Sequence, residues 1–192
     1  MLKKPLVAAI LLLLFACSDN AGYQFQGSDI SAANLDGSFE LMNHQGNSSN
    51  LSDFKGKVVA IFFGFTNCPD VCPTSLQELK FVQSELGQLA DDFQVIFVTL
   101  DPDRDTIEKL KLYIPSIDES FLGLRGSSEQ TRMITSQYKV FYEKVGEGDD
   151  YTIDHSSGIY LIDKTGHIRA RHPYGLSTVD NILSDVRHLI LS

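Results

Sequence analysis

The chain has 192 residues, 43% hydrophobic and 21% charged, which suits one globular domain with a short appendage and a core that needs no disulfide staple. A formal net charge of −9 argues against nucleic acid as a partner, because phosphate contacts need a surplus of Lys and Arg, and favours cationic or metal-carrying partners. No low-complexity tract or internal repeat interrupts it.

Residues 1–16 read as a targeting segment. Lys3 and Lys4 form a positive start, and residues 6–15 are an apolar run too short to span a bilayer comfortably. Leu14, Phe15, Ala16 and Cys17, followed by polar Ser18, Asp19 and Asn20, resemble a bacterial lipobox, with cleavage before Cys17 and lipid on its sulfur. An ordinary signal peptide or an uncleaved anchor would also carry the domain out of the cytoplasm. The expected location is the bacterial cell envelope, with the domain in the periplasm. Residues 17–36, rich in Ser, Asn, Gly and Gln, read as a lipidated tether, and residues 37–192 as the folded domain.

Residues 38–42 alternate and residues 44–47 turn, predicting a hairpin. Residues 57–65 hold a continuous apolar run typical of a buried central strand. Residues 73–90 place Leu76, Leu79, Val82, Leu86 and Leu89 at helical spacing. A second buried strand follows at 93–100, then helices at 106–113 and 127–138. Strands at 158–163 and 167–171 flank the turn Lys164-Thr165-Gly166, and an amphipathic helix at 178–191 ends the chain. Strand–helix–strand units imply a parallel core. The whole predicts an α/β thioredoxin-like fold with an N-terminal β-hairpin and a central insertion.

Cys68 and Cys72 fall just after the first core strand, where such folds keep their active site. A disulfide between residues four apart closes a tiny loop and restrains little of the unfolded chain, so redox or metal chemistry is the better reading. Pro73 suits the first helical position, which puts Cys72 near the N-cap, where unpaired amides and the helix dipole would lower its pKa. Two neighbouring thiolates suit a soft ion, Cu(I), and also Zn. A third donor must come from elsewhere. His44, His167, His172 and His188 read as surface or packed histidines. His155 lies in the loop before the strand at 158, which in this fold abuts the cysteine loop. Thioredoxin-like oxidoreductases carry a cis-proline there. Here the position holds Asp154, His155, Ser156 and Ser157, and the cysteine spacing departs from Cys-x-x-Cys.

Three collinear blocks are similar to the Sco/SenC family. They are Gly64-Phe65-Thr66-Asn67-Cys68-Pro69-Asp70-Val71-Cys72-Pro73, then residues 98–106 with Asp101-Pro102-Asp103-Arg104-Asp105, then Asp154-His155-Ser156 with Tyr160-Leu161-Ile162-Asp163, and the likeness runs over residues 37–190. The resemblance implies a thioredoxin-like copper chaperone that helps build the binuclear copper centre of cytochrome c oxidase. It implies metal ligation by Cys68, Cys72 and His155, with copper as Cu(I) and Cu(II) also open. The implied partner is the copper-receiving oxidase subunit, beside other copper chaperones or thioredoxin-like reductases. A lipobox stands where many relatives have a transmembrane helix.

The acidic neighbours read two ways. Asp101 either supports a metal ligand from outside or caps a turn with Pro102, and Asp70 either tunes the site or is a solvated loop acid. Asp154 would point away from His155 in an extended segment. Arg104 and Asp105 read as shaping the loop and the helix start. Copper handling without turnover competes with thiol–disulfide exchange by the same cysteines, and both can hold together. Thr66, two residues before Cys68, gives a passing likeness to thiol peroxidases, a scheme that leaves Cys72 and His155 without a task.

Overall fold

The computed structural model describes residues 22–148 and 150–192; the expected signal segment, Cys17 and the start of the tether lie outside the described residues. In chain order the elements are β1 (Ser28–Asp29), β2 (Glu40–Asn43), β3 (Ser48–Asn50), β4 (Val58–Gly64), α1 (Val71–Glu85), β5 (Phe93–Thr99), α2 (Ile107–Ile117), β6 (Leu122–Arg125), α3 (Ser128–Gln137), β7 (Tyr142–Val145), β8 (Thr152–His155), β9 (Gly158–Ile162), β10 (Ile168–Pro173) and α4 (Val179–Leu191).

Among the described residues, eight strands form one sheet in the order β1-β10-β9-β4-β5-β6-β2-β3, and β7 and β8 form a separate two-stranded ribbon. The pairs β4–β5 and β5–β6 are parallel, joined by crossovers through α1 and α2. Strands β4 and β9 are buried at every position, which explains their unbroken apolar sequence. Helices α1 and α4 pack on each other and on β4. This is the thioredoxin-like α/β arrangement. The hairpin β2–β3 extends the sheet beyond β6, and the ribbon lies in the insertion between α3 and β9.

Several elements differ from those read in the sequence. Helix α1 ends at Glu85, because Gly87 takes a φ of +55° and the chain continues as a 3-10 turn. Helix α2 runs past Tyr113 and through Pro115 to Ile117, since its buried stripe of Leu110, Ile114 and Ile117 spans the proline. Apolar burial there offsets the cost of a helical proline, about 3 kcal/mol. Strand β6 has only four residues and no alternating pattern of its own; it is a strand because β5 and β2 flank it.

Of the segment expected to act as a tether, residues from Tyr23 onward lie against the domain. The carboxylate of Asp185 on α4 is fully buried and accepts hydrogen bonds from the Tyr23 hydroxyl (2.7 Å) and the amides of Gln26 (2.9 Å) and Gly27 (3.0 Å). His172 Nε2 stands 3.0 Å from the same group, at an angle that makes no well-formed hydrogen bond. Burial alone would raise the Asp185 pKa, but the proximity of His172 and the Gln26, Gly27 and Tyr23 bonds outweigh it and hold the carboxyl below its usual value of 3.8. With the folded value depressed, the stabilisation is complete above the ordinary carboxylate range and is lost as pH falls through the folded value. Asp185→Ala should lower stability by about 3 kcal/mol and open the segment at 22–30 to limited proteolysis. The wild type should show the same cleavage only once acidified below the ordinary carboxylate range, as the Asp185 carboxyl takes up its proton. An unchanged melting temperature and cleavage pattern in Asp185→Ala would show that the clamp does not hold the segment.

Candidate functional site

Strand β4 ends at Gly64, directly under the cysteines. A Cβ at Gly64 would stand 2.8 Å from Cys72 Sγ, 2.9 Å from the Phe62 ring and 3.0 Å from the Phe97 ring, so the missing side chain lets α1 seat its first sulfur against the sheet. Cys72 heads the buried stripe of α1, which continues through Ser75, Leu76, Leu79 and Val82. The helix begins at Val71, so Asp70 is the N-cap residue and Pro73 lies third in the helix, two positions later than its sequence suggests. Pro73 is tolerated there because first-turn amides have no intrahelical partner.

Cys68 lies in the loop before the helix and is half-buried, while Cys72 is fully buried. The Cys72 amide, free of any helical acceptor, donates to Cys68 Sγ at 3.3 Å. His155 ends β8 and places Nε2 3.8 Å from Cys72 Sγ. Its Nδ1 lies 3.3 Å from the Ser156 carbonyl oxygen. That acceptor keeps the proton on Nδ1 and turns the Nε2 lone pair toward the sulfur. The rings of Phe62 and Phe65 meet the imidazole edge-on at 6.5 and 6.1 Å. Burial holds the His155 pKa below its usual 6.5, against the pull of Ser156 and Cys68, so the ring is neutral at neutral pH.

The two thiols titrate apart. Hydrogen bonding from the Cys72 thiol brings the Cys68 pKa down to about 5, opposed by burial and helped by the Asp70 and Cys72 amides and by His155. Cys72 is driven far up, by the same thiol interaction first and by burial second. The sequence reading placed the stabilised thiolate on Cys72; the structure places it on Cys68. The open end of α1 faces the Cys68 sulfur, whereas the Cys72 sulfur is tucked into the core. Among the described residues no three His, Cys, Asp or Glu side chains stand ready-made around one point. Cys72 and His155 face each other, and Cys68 is engaged with the helix amide.

The acids separate by role. Asp70 is exposed, accepts a hydrogen bond from Thr74 Oγ1 at 3.4 Å and reaches Cys68 only through its amide. Asp101 is fully buried, and its two oxygens are taken up by Tyr151 (2.6 Å) and Arg104 (2.5 Å), neither of them an expected ligand. Asp154 is exposed, as an extended segment requires. Asp105, read in the sequence only as a loop-shaping residue, is fully buried and accepts hydrogen bonds from the Thr66 amide (3.0 Å), Thr66 Oγ1 (2.5 Å) and Thr99 Oγ1 (2.6 Å). It ties the cysteine loop to the end of β5. Gly64 and Tyr151 went unnoticed as site residues, because no spacing rule marks a close approach or a contact made across the fold.

The remaining histidines are occupied elsewhere. His44 Nδ1 accepts the Gly123 amide at 3.0 Å, His167 sits in the β9–β10 turn beside Thr165, His172 adjoins Asp185, and His188 stacks on Tyr23 at 3.6 Å. A groove of about 810 Å³ between β2 and the start of α3 contains none of Cys68, Cys72 and His155.

Fold and site together define a thioredoxin-like domain whose cysteine pair faces a histidine. The chain belongs to the SCO1/SenC family, whose profile matches residues 27–191. It is 43% identical over 135 residues to the SCO2-like protein of Rickettsia prowazekii, covering 69% of this chain and 66% of that protein. The chain thus spans just under two thirds of the length of the curated relatives it matches. Bradyrhizobium japonicum ScoI, solved with copper bound, is similar at a TM-score of 0.73 and 37% identity, covering 81% of this chain and 99% of that one. A SCO1/SenC family lipoprotein from Bacillus anthracis is similar at a TM-score of 0.73 and 25% identity, covering 86% of this chain and 99% of that one.

The split between the thiols sets an alkylation order. At short times iodoacetamide should label Cys68 before Cys72, with a rate that rises around pH 5 and is flat by neutral pH. In Cys72→Ala, which removes the thiol donor, the midpoint should move up by at least a unit. Equal labelling of the two cysteines, or a midpoint near 9 in the wild type, would contradict the assignment.

Proposed function

We propose that this chain is a copper metallochaperone that carries one copper ion on Cys68, Cys72 and His155 and passes it to the copper-receiving subunit of cytochrome c oxidase. The observation that carries the reading is the 3.8 Å approach of His155 Nε2 to Cys72 Sγ, beside a Cys68 sulfur that is already largely ionised. Two thiolates and a neutral imidazole are soft-to-borderline donors, which suit Cu(I). The copper-bound Bradyrhizobium relative supports the cargo, and the family resemblance supports the receiving site. Copper is the cargo here, so the site has to release it as well as hold it. Cys68, half-buried and charged, is the sulfur that incoming copper and an acceptor's ligands can both reach. Cys72 gives up its proton on binding, which makes affinity pH-dependent.

The envelope location belongs to the same proposal: Cys17 carries lipid and the domain works in the periplasm. The lipobox-like residues 14–17 and the Bacillus lipoprotein relative support this. No helix among the described residues is long and apolar enough to cross a membrane. One observation favours a second role for the same residues. A low-pKa, half-buried Cys68 beside a buried, protonated Cys72 has the asymmetry of an attacking and a resolving thiol, so disulfide exchange with the receiving site is open to it.

Titration of the reduced domain should give one tightly bound copper per chain. Cys68→Ser and Cys72→Ser should each lose tight binding, and so should the wild type once oxidised to the Cys68–Cys72 disulfide, because both thiolates are then consumed. Stoichiometric tight binding by either serine variant would overturn the ligand assignment.

His155→Ala separates delivery from plain redox. The variant should still form and break the Cys68–Cys72 disulfide, since that reaction needs only the two sulfurs. Its copper affinity should fall at least ten-fold, the nitrogen scatterer should vanish from the X-ray absorption spectrum, and oxidase assembly should fail in cells. Normal oxidase assembly with unchanged copper affinity would leave a thiol–disulfide oxidoreductase.

A further inference from the structure

His155 is carried by an element that has little hold on the core. Among the described residues, strands β7 and β8 pair only with each other, and Ile153 is the only buried residue in either. A two-stranded ribbon is marginally stable by itself. The register puts Tyr142 opposite His155 and Val145 opposite Thr152, and beyond His155 the Ser156 amide donates to the Phe141 carbonyl. The ribbon's internal pairing is thus complete, but that pairing does not fix where it stands relative to the cysteines.

The loop between β5 and α2 supplies the missing hold. Tyr151 precedes β8, and its hydroxyl donates to Asp101 Oδ1 at 2.6 Å. The Arg104 guanidinium lies 3.6 Å over the Tyr151 ring, donates through Nη1 to the Tyr151 carbonyl at 2.8 Å and through Nε to Asp101 Oδ2 at 2.5 Å. Lys144 of β7 lies on the same ring at 4.6 Å and donates to Asp103 Oδ2 at 2.6 Å. The Lys144–Asp103 pair is exposed and worth little. The Asp101–Arg104–Tyr151 cluster is mostly out of water, where charge-assisted bonds and a guanidinium on a ring hold best. The same short loop carries Asp105, which binds Thr66, two residues from Cys68.

We propose that the loop at 101–105 gauges the site, with Asp105 holding the cysteine arm and Asp101 and Arg104 clamping Tyr151 so that β8 presents His155 to Cys72. Tyr151 is then a positioning residue. It lies four residues from His155, about 13 Å along an extended strand, and acts through the backbone rather than by touching cargo. The inference rests on the copper reading of the site and identifies what sets its geometry.

The test uses the reduced domain, Cu(I), and competition with a chromophoric chelator. Tyr151→Leu should weaken Cu(I) binding about 10–100-fold, the range of lost support behind a metal ligand. Tyr151→Phe, which keeps the ring under Arg104 and loses only the hydroxyl, should fall between it and the wild type. The disulfide-forming rate should stay at the wild-type value in both. In a His155→Ala background, Tyr151→Leu should cost almost nothing further, because the residue acts through His155. Amide exchange at residues 152–155 should quicken in Tyr151→Leu. Wild-type copper affinity in a folded Tyr151→Leu, or a loss that repeats in full without His155, would overturn the clamp. If Tyr151→Leu does not fold, Tyr151→Phe carries the same comparisons. Wild-type copper binding by His155→Ala would overturn the copper reading instead, and the exchange rates at 152–155 would then judge the clamp alone.

Discussion

Where the parallel strands β4 and β5 end side by side, the chain must leave the sheet twice within a dry corner, and amides and hydroxyls there need partners that water cannot supply. Asp105 supplies them. Its buried carboxylate gathers the Thr66 amide and hydroxyl from the loop after β4 and the Thr99 hydroxyl from the end of β5, with Lys109 Nζ at 3.4 Å. Thr99 Oγ1 in turn accepts the Asp101 amide at 3.0 Å, which starts the loop holding Tyr151. A carboxylate in this position is tolerable because its oxygens are fully engaged; removing it would leave several buried donors unpaired. The cysteine loop and the histidine ribbon both depend on this one corner.

The chemistry of the site follows from two sulfurs in unequal surroundings. One rides on the apolar stripe of a helix and is pressed against a glycine of the central strand. The other sits in front of that helix where first-turn amides point outward. The hydrogen bond from the Cys72 thiol to the Cys68 sulfur polarises the pair, and the core position of one and the amide-rich position of the other add to it. Metal binding and disulfide exchange both begin at an accessible thiolate.

The histidine is brought in from a different part of the fold, 83 residues beyond Cys72 in the chain. Mounting the imidazole on a ribbon outside the main sheet leaves it and the sulfurs on separately supported arms. The other four histidines are tied to Gly123, Thr165, Asp185 and Tyr23, so the polar demands of the fold are met without drawing on His155.

Much of this protein was readable from its residues one segment at a time. The apolar runs of β4 and β5, the hairpin turn at 164–166, the stripe of α4, and the starts of α2, α3 and α4 to within a residue are local signals, and each forms where expected. The Cys68–Cys72 spacing and the histidine ahead of β9 marked three residues that the fold brings close together. Tertiary structure alone decided the rest. Strand β6 exists because two strands flank it, and β7 and β8 because they pair with each other. The thiolate lies on Cys68 because the Cys72 thiol donates to it, with the first amides of α1 helping, and Asp101 faces Tyr151 because a loop meets the approach to the ribbon. Propensity and periodicity describe a segment against water, whereas a pKa, a clamp or an unassisted strand is set by atoms distant in the chain, which only the folded structure brings together.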